Sequence, residues 1–225
     1  MSDVKLTAAS VRQGCLKVLV SGVLVVAALY VLGLWLGRDP WADQGVPVTA
    51  PKSGTAKPTP TIPEPENGGI EEIKYDLQEK VLAWSGVQRP TEADCEIDEV
   101  PDSPRTFTCT VTYDGIEVPF TIRITDVTKA LGMALFKWEV AEQKAVLTKE
   151  GVFAEFWRQG QAPEYTEMRC DDNIPATKVV EVGPTPYFCY YKSKRGDHHR
   201  ARVIVADHGL QFLQDDKGEM EPRKE

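Results

Sequence analysis

Phe107 to Ile122 reads FTCTVTYDGIEVPFTI. Two runs alternate apolar and polar residues and meet at Asp114-Gly115, one of the strongest short-range signals of a β-hairpin. A two-residue turn pairs Tyr113 with Ile116. The period of two then sets Val111 opposite Val118, Cys109 opposite Phe120 and Phe107 opposite Ile122, with all eight side chains on one face. Thr106, Thr108, Thr110 and Thr112 line the other face, with Glu117, Thr121 and Arg123 across from them. Pro119 falls opposite Thr110 at a non-hydrogen-bonded pair, so its missing N–H costs nothing on that side. A third strand beyond Pro119 would lose a bond, which predicts an edge or a bulge there.

Cys109 lies on the apolar face of this hairpin. With Cys95, Cys170 and Cys189 it makes four cysteines that fall into two pairs. Three connectivities are open, and the natural bonds are Cys95–Cys109 and Cys170–Cys189 in an oxidising compartment. A bond closing a loop of about 15 residues contributes about 3 kcal/mol in the chain-entropy model. A unit of roughly 70 residues is marginal on its own core, so such a staple matters. The spacing is too wide for a redox C-x-x-C pair. No histidine stands near the first two cysteines to complete a zinc site.

Outward from the hairpin the pattern recurs. Ile70, Ile73, Leu77, Val81 and Trp84 mark one face of a helix over Ile70–Trp84. Cys95, the hairpin and a strand over Ala134–Ala141 follow. The second helix begins at Thr148, a fair N-cap, with Leu147 and Val152 placed as a hydrophobic staple and Val152, Phe153, Phe156 and Trp157 as its apolar stripe. Then come Cys170, strands at Tyr187–Lys192 and Ala201–Asp207, and a last one at Gly209–Gln214. The first cysteines of the two units are 75 positions apart and the second ones 80 apart.

Before the helices lies a different kind of chain. Val18 to Leu36 carries no charge over 19 residues, twelve of them Leu or Val. A transmembrane helix needs about 20 residues, and the apolar core is too long for a cleaved signal peptide. Lys5, Arg12 and Lys17 precede the span, which orients the N-terminus to the cytoplasm and everything after Gly37 to the outside. Cys15 stands before the span, where acylation and a free thiol are both open readings. Gly33 and Gly37 form a G-x-x-x-G that leaves open a weak homodimer. Asp39 to Asn67 holds seven of the sixteen prolines and no apolar period, and reads as a disordered spacer, extended where polyproline II forms.

The expected fold class is therefore α+β, with an N-terminal transmembrane helix, a disordered Pro-rich linker and two tandem helix-plus-antiparallel-sheet repeats. The segments are a cytoplasmic N-terminus (1–17), the span (18–36), the linker (37–68), a first disulfide module (69–145), a second (146–214) and a disordered tail (215–225).

Cys95, Thr108, Cys109, Thr110, Val111, Gly115, Pro119 and Thr121 together carry a resemblance. The stretch from Ile70 to Thr125 resembles a family of small extracytoplasmic domains of unknown function, found in single-pass or lipid-anchored envelope proteins of high-GC Gram-positive bacteria. It departs from that pattern at Glu96, where the family often has proline. The resemblance implies a disulfide-bearing α+β module and brings no catalytic residues.

Charge narrows the partners. Residues 1–40 are net +2 and the whole chain −8, which leaves −10 beyond residue 40. An acidic exterior argues against nucleic acid. The exception is local: Lys192, Lys194, Arg195, Arg200 and Arg202 cluster beside the aromatics Phe188 and Tyr190. This cluster is the candidate binding surface for an anionic envelope polymer or an acidic protein. The plain alternatives are a solvated hairpin tip at Gly196-Asp197 and packing of Phe188 and Tyr190 beneath the second helix. His198 and His199 point to opposite faces of one strand, and His208 lies about 33 Å further along it, so the three do not read as a metal site. No G-x-S-x-G, H-E-x-x-H, P-loop or dinucleotide fingerprint occurs. The expectation is an envelope binding protein that needs no cofactor. The alternatives are a sensor acting through a membrane partner and an unrecognised hydrolase.

Overall fold

The computed structural model describes residues 41, 44–51, 58–66, 68–130, 133–160 and 165–214. Everything below concerns the unit that begins at Gln44. The expected span, Cys15 and the tail 215–225 lie outside the described residues. Among the described residues no helix is long and apolar enough to cross a membrane.

The fold is mixed α+β with two antiparallel sheets. The elements in chain order are β1 (Val46–Pro47), α1 (Ile70–Ser85), β2 (Thr91–Cys95), β3 (Arg105–Tyr113), β4 (Ile116–Ala130), β5 (Met133–Thr148), α2 (Lys149–Gln159), β6 (Tyr165–Cys170), β7 (Thr177–Glu181), β8 (Gly183–Ser193), β9 (His198–Ala206) and β10 (Gly209–Gln214). One sheet has the order β2-β3-β4-β5-β7, the other β1-β6-β8-β9-β10.

The Asp-Gly hairpin forms in the register its alternation dictates. Tyr113, Val111, Cys109 and Phe107 pair with Ile116, Val118, Phe120 and Ile122, and seven of the eight side chains are buried, Ile116 alone being only half-buried. Asp114 and Gly115 have φ of 49° and 80°, the left-handed pair a type I′ turn requires. Beyond Pro119 the ladder to β5 starts at Phe120, and a bulge follows between Thr121 and Ile122.

Both disulfides are present, Cys95–Cys109 and Cys170–Cys189. Each joins directly opposed residues of neighbouring strands, β2 with β3 and β6 with β8.

α1 buries the predicted face, Ile70, Ile73, Leu77, Val81 and Trp84. Glu71 and Glu72 occupy its first turn, where the helix dipole favours acid. Gly86, at φ 65°, closes it onto the Leu82 carbonyl. Thr148 caps α2: its hydroxyl accepts from the Gly151 amide at 2.9 Å and donates to the Ser85 carbonyl at 2.7 Å. Val152 and Phe156 are buried, while Phe153 and Trp157 pack half-buried at the core's edge.

Three features differ from the expectation. The halves share one core rather than closing two: β7, from the second half, extends the first sheet beside β5, and one continuous apolar cluster takes side chains from both halves. Trp84 of α1 stacks on Phe120 and donates its indole N–H to the Ala206 carbonyl of β9 at 2.7 Å. Both helices touch strands of both sheets, so neither sheet covers its apolar face alone. The boundary expected at 145/146 falls inside β5. The linker is not structureless either. Val46 and Pro47 pair with Cys170 and Arg169, Val48 is buried, and Gln88 holds the backbone of Thr59 through both ends of its amide. Finally, β4 and β5 run past their neighbours. Among the described residues, 126–130 and 133–137 pair only with each other, and Leu135 on this arm is 63% exposed.

The tightest point is where α1 ends and α2 begins. A Cβ on Gly151 would overlap the Ser85 carbonyl, and one on Gly86 would lie 2.9 Å from the Gly151 Cα. Gly151→Ala is expected to destabilise the protein by about 1–3 kcal/mol through overpacking, read as a lower urea midpoint with an unchanged slope.

Candidate functional site

The candidate surface is built by β8 and β9. Cys189 is buried in the core with Cys170, so alternation turns Phe188, Tyr190 and Lys192 to the other face of the sheet. Across from them on β9 stand Arg202, Arg200 and His198. Five of the seven predicted residues therefore share one face. The guanidinium carbons of Arg200 and Arg202 lie 4.6 and 5.0 Å from the centre of the Phe188 ring. Each such contact is worth about 0.5–1 kcal/mol at an exposed site. Its larger effect is to brace two cations over one ring, lowering the entropy cost of engaging an anion.

Tyr190 departs from its predicted role. It is only 8% exposed, and its hydroxyl donates to Asp171 Oδ1 at 3.0 Å. Asp171 Oδ2 accepts the Phe188 amide at 2.9 Å. Tyr190 therefore supports the strand beneath the surface rather than presenting a ring to a ligand. Nor do Phe188 and Tyr190 pack under α2: that place belongs to Tyr191, whose ring lies 6.4 Å from Phe156 of α2. Lys194 and Arg195 are exposed in the β8–β9 turn. Ser193 organises that turn, its hydroxyl accepting the amides of Arg195 and Asp197 at 3.2 and 3.1 Å. Lys192 lies 4.0 Å from Glu167, an exposed pair of little energetic weight.

Arg169 was not among the predicted residues. It pairs with Tyr190 across β6 and β8, and its guanidinium donates to the carbonyls of Gln44 at 2.6 Å and Gly45 at 3.1 Å. Its charge holds the start of the linker against the sheet. No local signal reveals this, because its partners lie more than 120 positions away.

A second concavity, about 290 Å³, is lined by Asp76, Glu79 and Lys80 of α1, Trp138 and Val140 of β5, and Asp207 and His208 of the β9–β10 turn. Burial, then Glu72, Glu79 and Glu64, push the Asp76 carboxyl above its ordinary value of 3.8. His208 lies here, far along the chain from His198 and His199 on β9. Among the described residues no three His, Cys, Asp or Glu are grouped to hold a metal.

Comparison with protein-family models, curated proteins and solved structures finds no match for this chain.

Because the folded state disfavours ionised Asp76, its cost to stability is full above the raised pKa and vanishes as pH falls to 3.8 and below. Asp76→Asn should therefore be more stable than the parent at pH 7, with the advantage shrinking as the pH approaches 3.8, as read by thermal melts across that range.

Proposed function

We propose that this chain is a single-pass protein of the cell envelope that acts outside the membrane by binding an anionic partner. In this reading Val18 to Leu36 spans the bilayer with the N-terminus inside, and the two cystines form in the oxidising space beyond it. The observation that carries it is the pair Arg200 and Arg202 braced on Phe188 in an otherwise acidic exterior. Lys192, Lys194 and Arg195 extend the cluster toward the turn. A phosphate- or carboxylate-bearing wall polymer, or an acidic protein, fits such a face.

The two halves are read as tandem copies of one unit. Each runs helix then strands, with a cystine between the first two strands of its meander: α1-β2-β3-β4-β5, and α2-β6-β8-β9-β10. The extra strands β7 and β1 were then added to the free edges. This agrees with the family resemblance carried by Cys95, Cys109 and their neighbours.

A sensing role is the second reading, favoured by β1: the chain enters the sheet beside β6 at Val46 and Pro47 instead of staying unpaired up to α1. The cytoplasmic segment, 1–17, is too short to fold alone, so this reading requires a partner in the membrane.

Full-length protein in nanodiscs should be retained on immobilised poly(glycerol phosphate) and released by salt, as expected of screened charge contacts. Arg200→Glu with Arg202→Glu should cut that retention at least about tenfold, a difference of about 1.4 kcal/mol, while the protein stays folded by circular dichroism. Equal retention by the double variant would refute the site. In intact cells, a membrane-impermeant amine reagent should label Lys194, exposed in the β8–β9 turn; labelling of Lys194 only after lysis would refute the topology.

A further inference from the structure

The core side of the same hairpin carries a different kind of site. Near its turn, α2, β6, β8 and β10 leave a cavity of about 170 Å³. Phe156, Tyr165, Tyr191 and Phe212 supply rings to its walls, and Gln159 and Gln214 bring two carboxamides to it. The rings do not stack flat: Phe156 and Phe212 meet at 4.8 Å and 50°, Tyr165 and Tyr191 at 4.5 Å and 61°. Tyr191 is braced from behind by His199, stacked at 4.8 Å, and His199 Nδ1 lies 3.4 Å from Gln214 Nε2. Gln159 and Gln214 are exposed, and Tyr165, Tyr191 and Phe212 half-buried, so the cavity opens to solvent.

Among the described residues the lining is aromatic and amide, with no Asp, Glu, Lys, Arg or His, so from these residues an ion would gain no counter-charge for the water it lost. A pure hydrocarbon would make no use of the carboxamides and phenols at the mouth, where Gln159 Nε2 donates to Glu155 and Gln214 is exposed. Aromatic faces beside neutral donors and acceptors suit a ring with apolar C–H faces and a rim of hydroxyls. The volume equals that of about six waters at ~30 Å³ each, which is room for one such ring and not two.

We propose that this pocket binds one neutral pyranose unit of a glycan. Tyr165 and Tyr191 receive the C–H face, and Gln159 and Gln214 hydrogen-bond the hydroxyl rim. Burial, and then Tyr165, hold the Tyr191 phenol above its ordinary value. The site goes beyond the anion-binding face: it lies on the other side of the β8–β9 hairpin and uses none of its arginines.

Saturation-transfer NMR on the full-length protein in nanodiscs tests this, with methyl β-glucopyranoside, N-acetylglucosamine and its tetramer as probes. At least one should bind saturably in the millimolar range, with the strongest transfer to ring C–H protons. Gln159→Ala and Gln214→Ala, both at exposed positions, should each weaken binding about fivefold, as loss of a neutral hydrogen bond does. Tyr191→Phe keeps the ring and should weaken it similarly, while Arg200→Glu with Arg202→Glu should leave it unchanged. The inference is overturned if no neutral sugar binds, if both glutamine variants bind as the parent does, if the arginine double variant loses sugar binding, or if tetramethylammonium binds more tightly than any sugar.

Discussion

A strand has only two faces, and a cystine between directly opposed residues settles which one is inside. Cys109 bonds Cys95 on one neighbouring strand and sits opposite Phe120 on the other. Once those three are buried, every second residue of β2, β3 and β4 is committed. Cys189 acts likewise in the second half, and the commitment runs outward to function. Because Cys189 faces Cys170, Tyr191 must face α2, and Phe188 must stand outside beneath Arg200 and Arg202. The two surfaces of the β8–β9 hairpin, one cationic and one aromatic, follow from one sulfur–sulfur bond.

The halves depend on each other through small contacts at one junction. Ser85 ends α1, Thr148 begins α2, and the Thr148 hydroxyl serves both by capping its own helix and satisfying the Ser85 carbonyl. Gly86 and Gly151 allow the backbones to approach that closely. Trp84, one residue earlier, carries the link to β9. A buried indole N–H needs an acceptor, and here it finds one in the other half of the chain. Two sheets that each lack a complete cover thereby become one interior.

What could be read in advance was what is local. The Asp-Gly hairpin, its eight inward residues and the bulge past Pro119 follow from neighbours a few positions apart. So do the α1 stripe and the Thr148 cap. The cysteine pairing was legible because each pair is close in sequence and lies on apolar faces. The exchanged edge strands were not legible. Val46-Pro47 and Thr177–Glu181 are short, and nothing in their own residues names a partner strand more than one hundred positions away for β1, or in the opposite half for β7. The candidate surface was half visible. The basic residues were plain in the sequence, but the burial of Tyr190 depends on Asp171 meeting its hydroxyl, and Arg169 is spent on Gln44 and Gly45.

The placement of β1 bears on the order of assembly. A chain made from its N-terminus exposes Val46 and Pro47 long before Arg169 and Cys170 exist to receive them. β5 must likewise wait for β7, which arrives only after α2 and β6. Contacts of such long sequence separation are slow to form. The nascent molecule therefore passes through a stage in which the first sheet is built, its far edge is open, and the earliest strand has no place to dock. A chaperone or translocation factor acting in that interval would meet an unfinished edge at β5, and the seating of β1 waits on the arrival of β6.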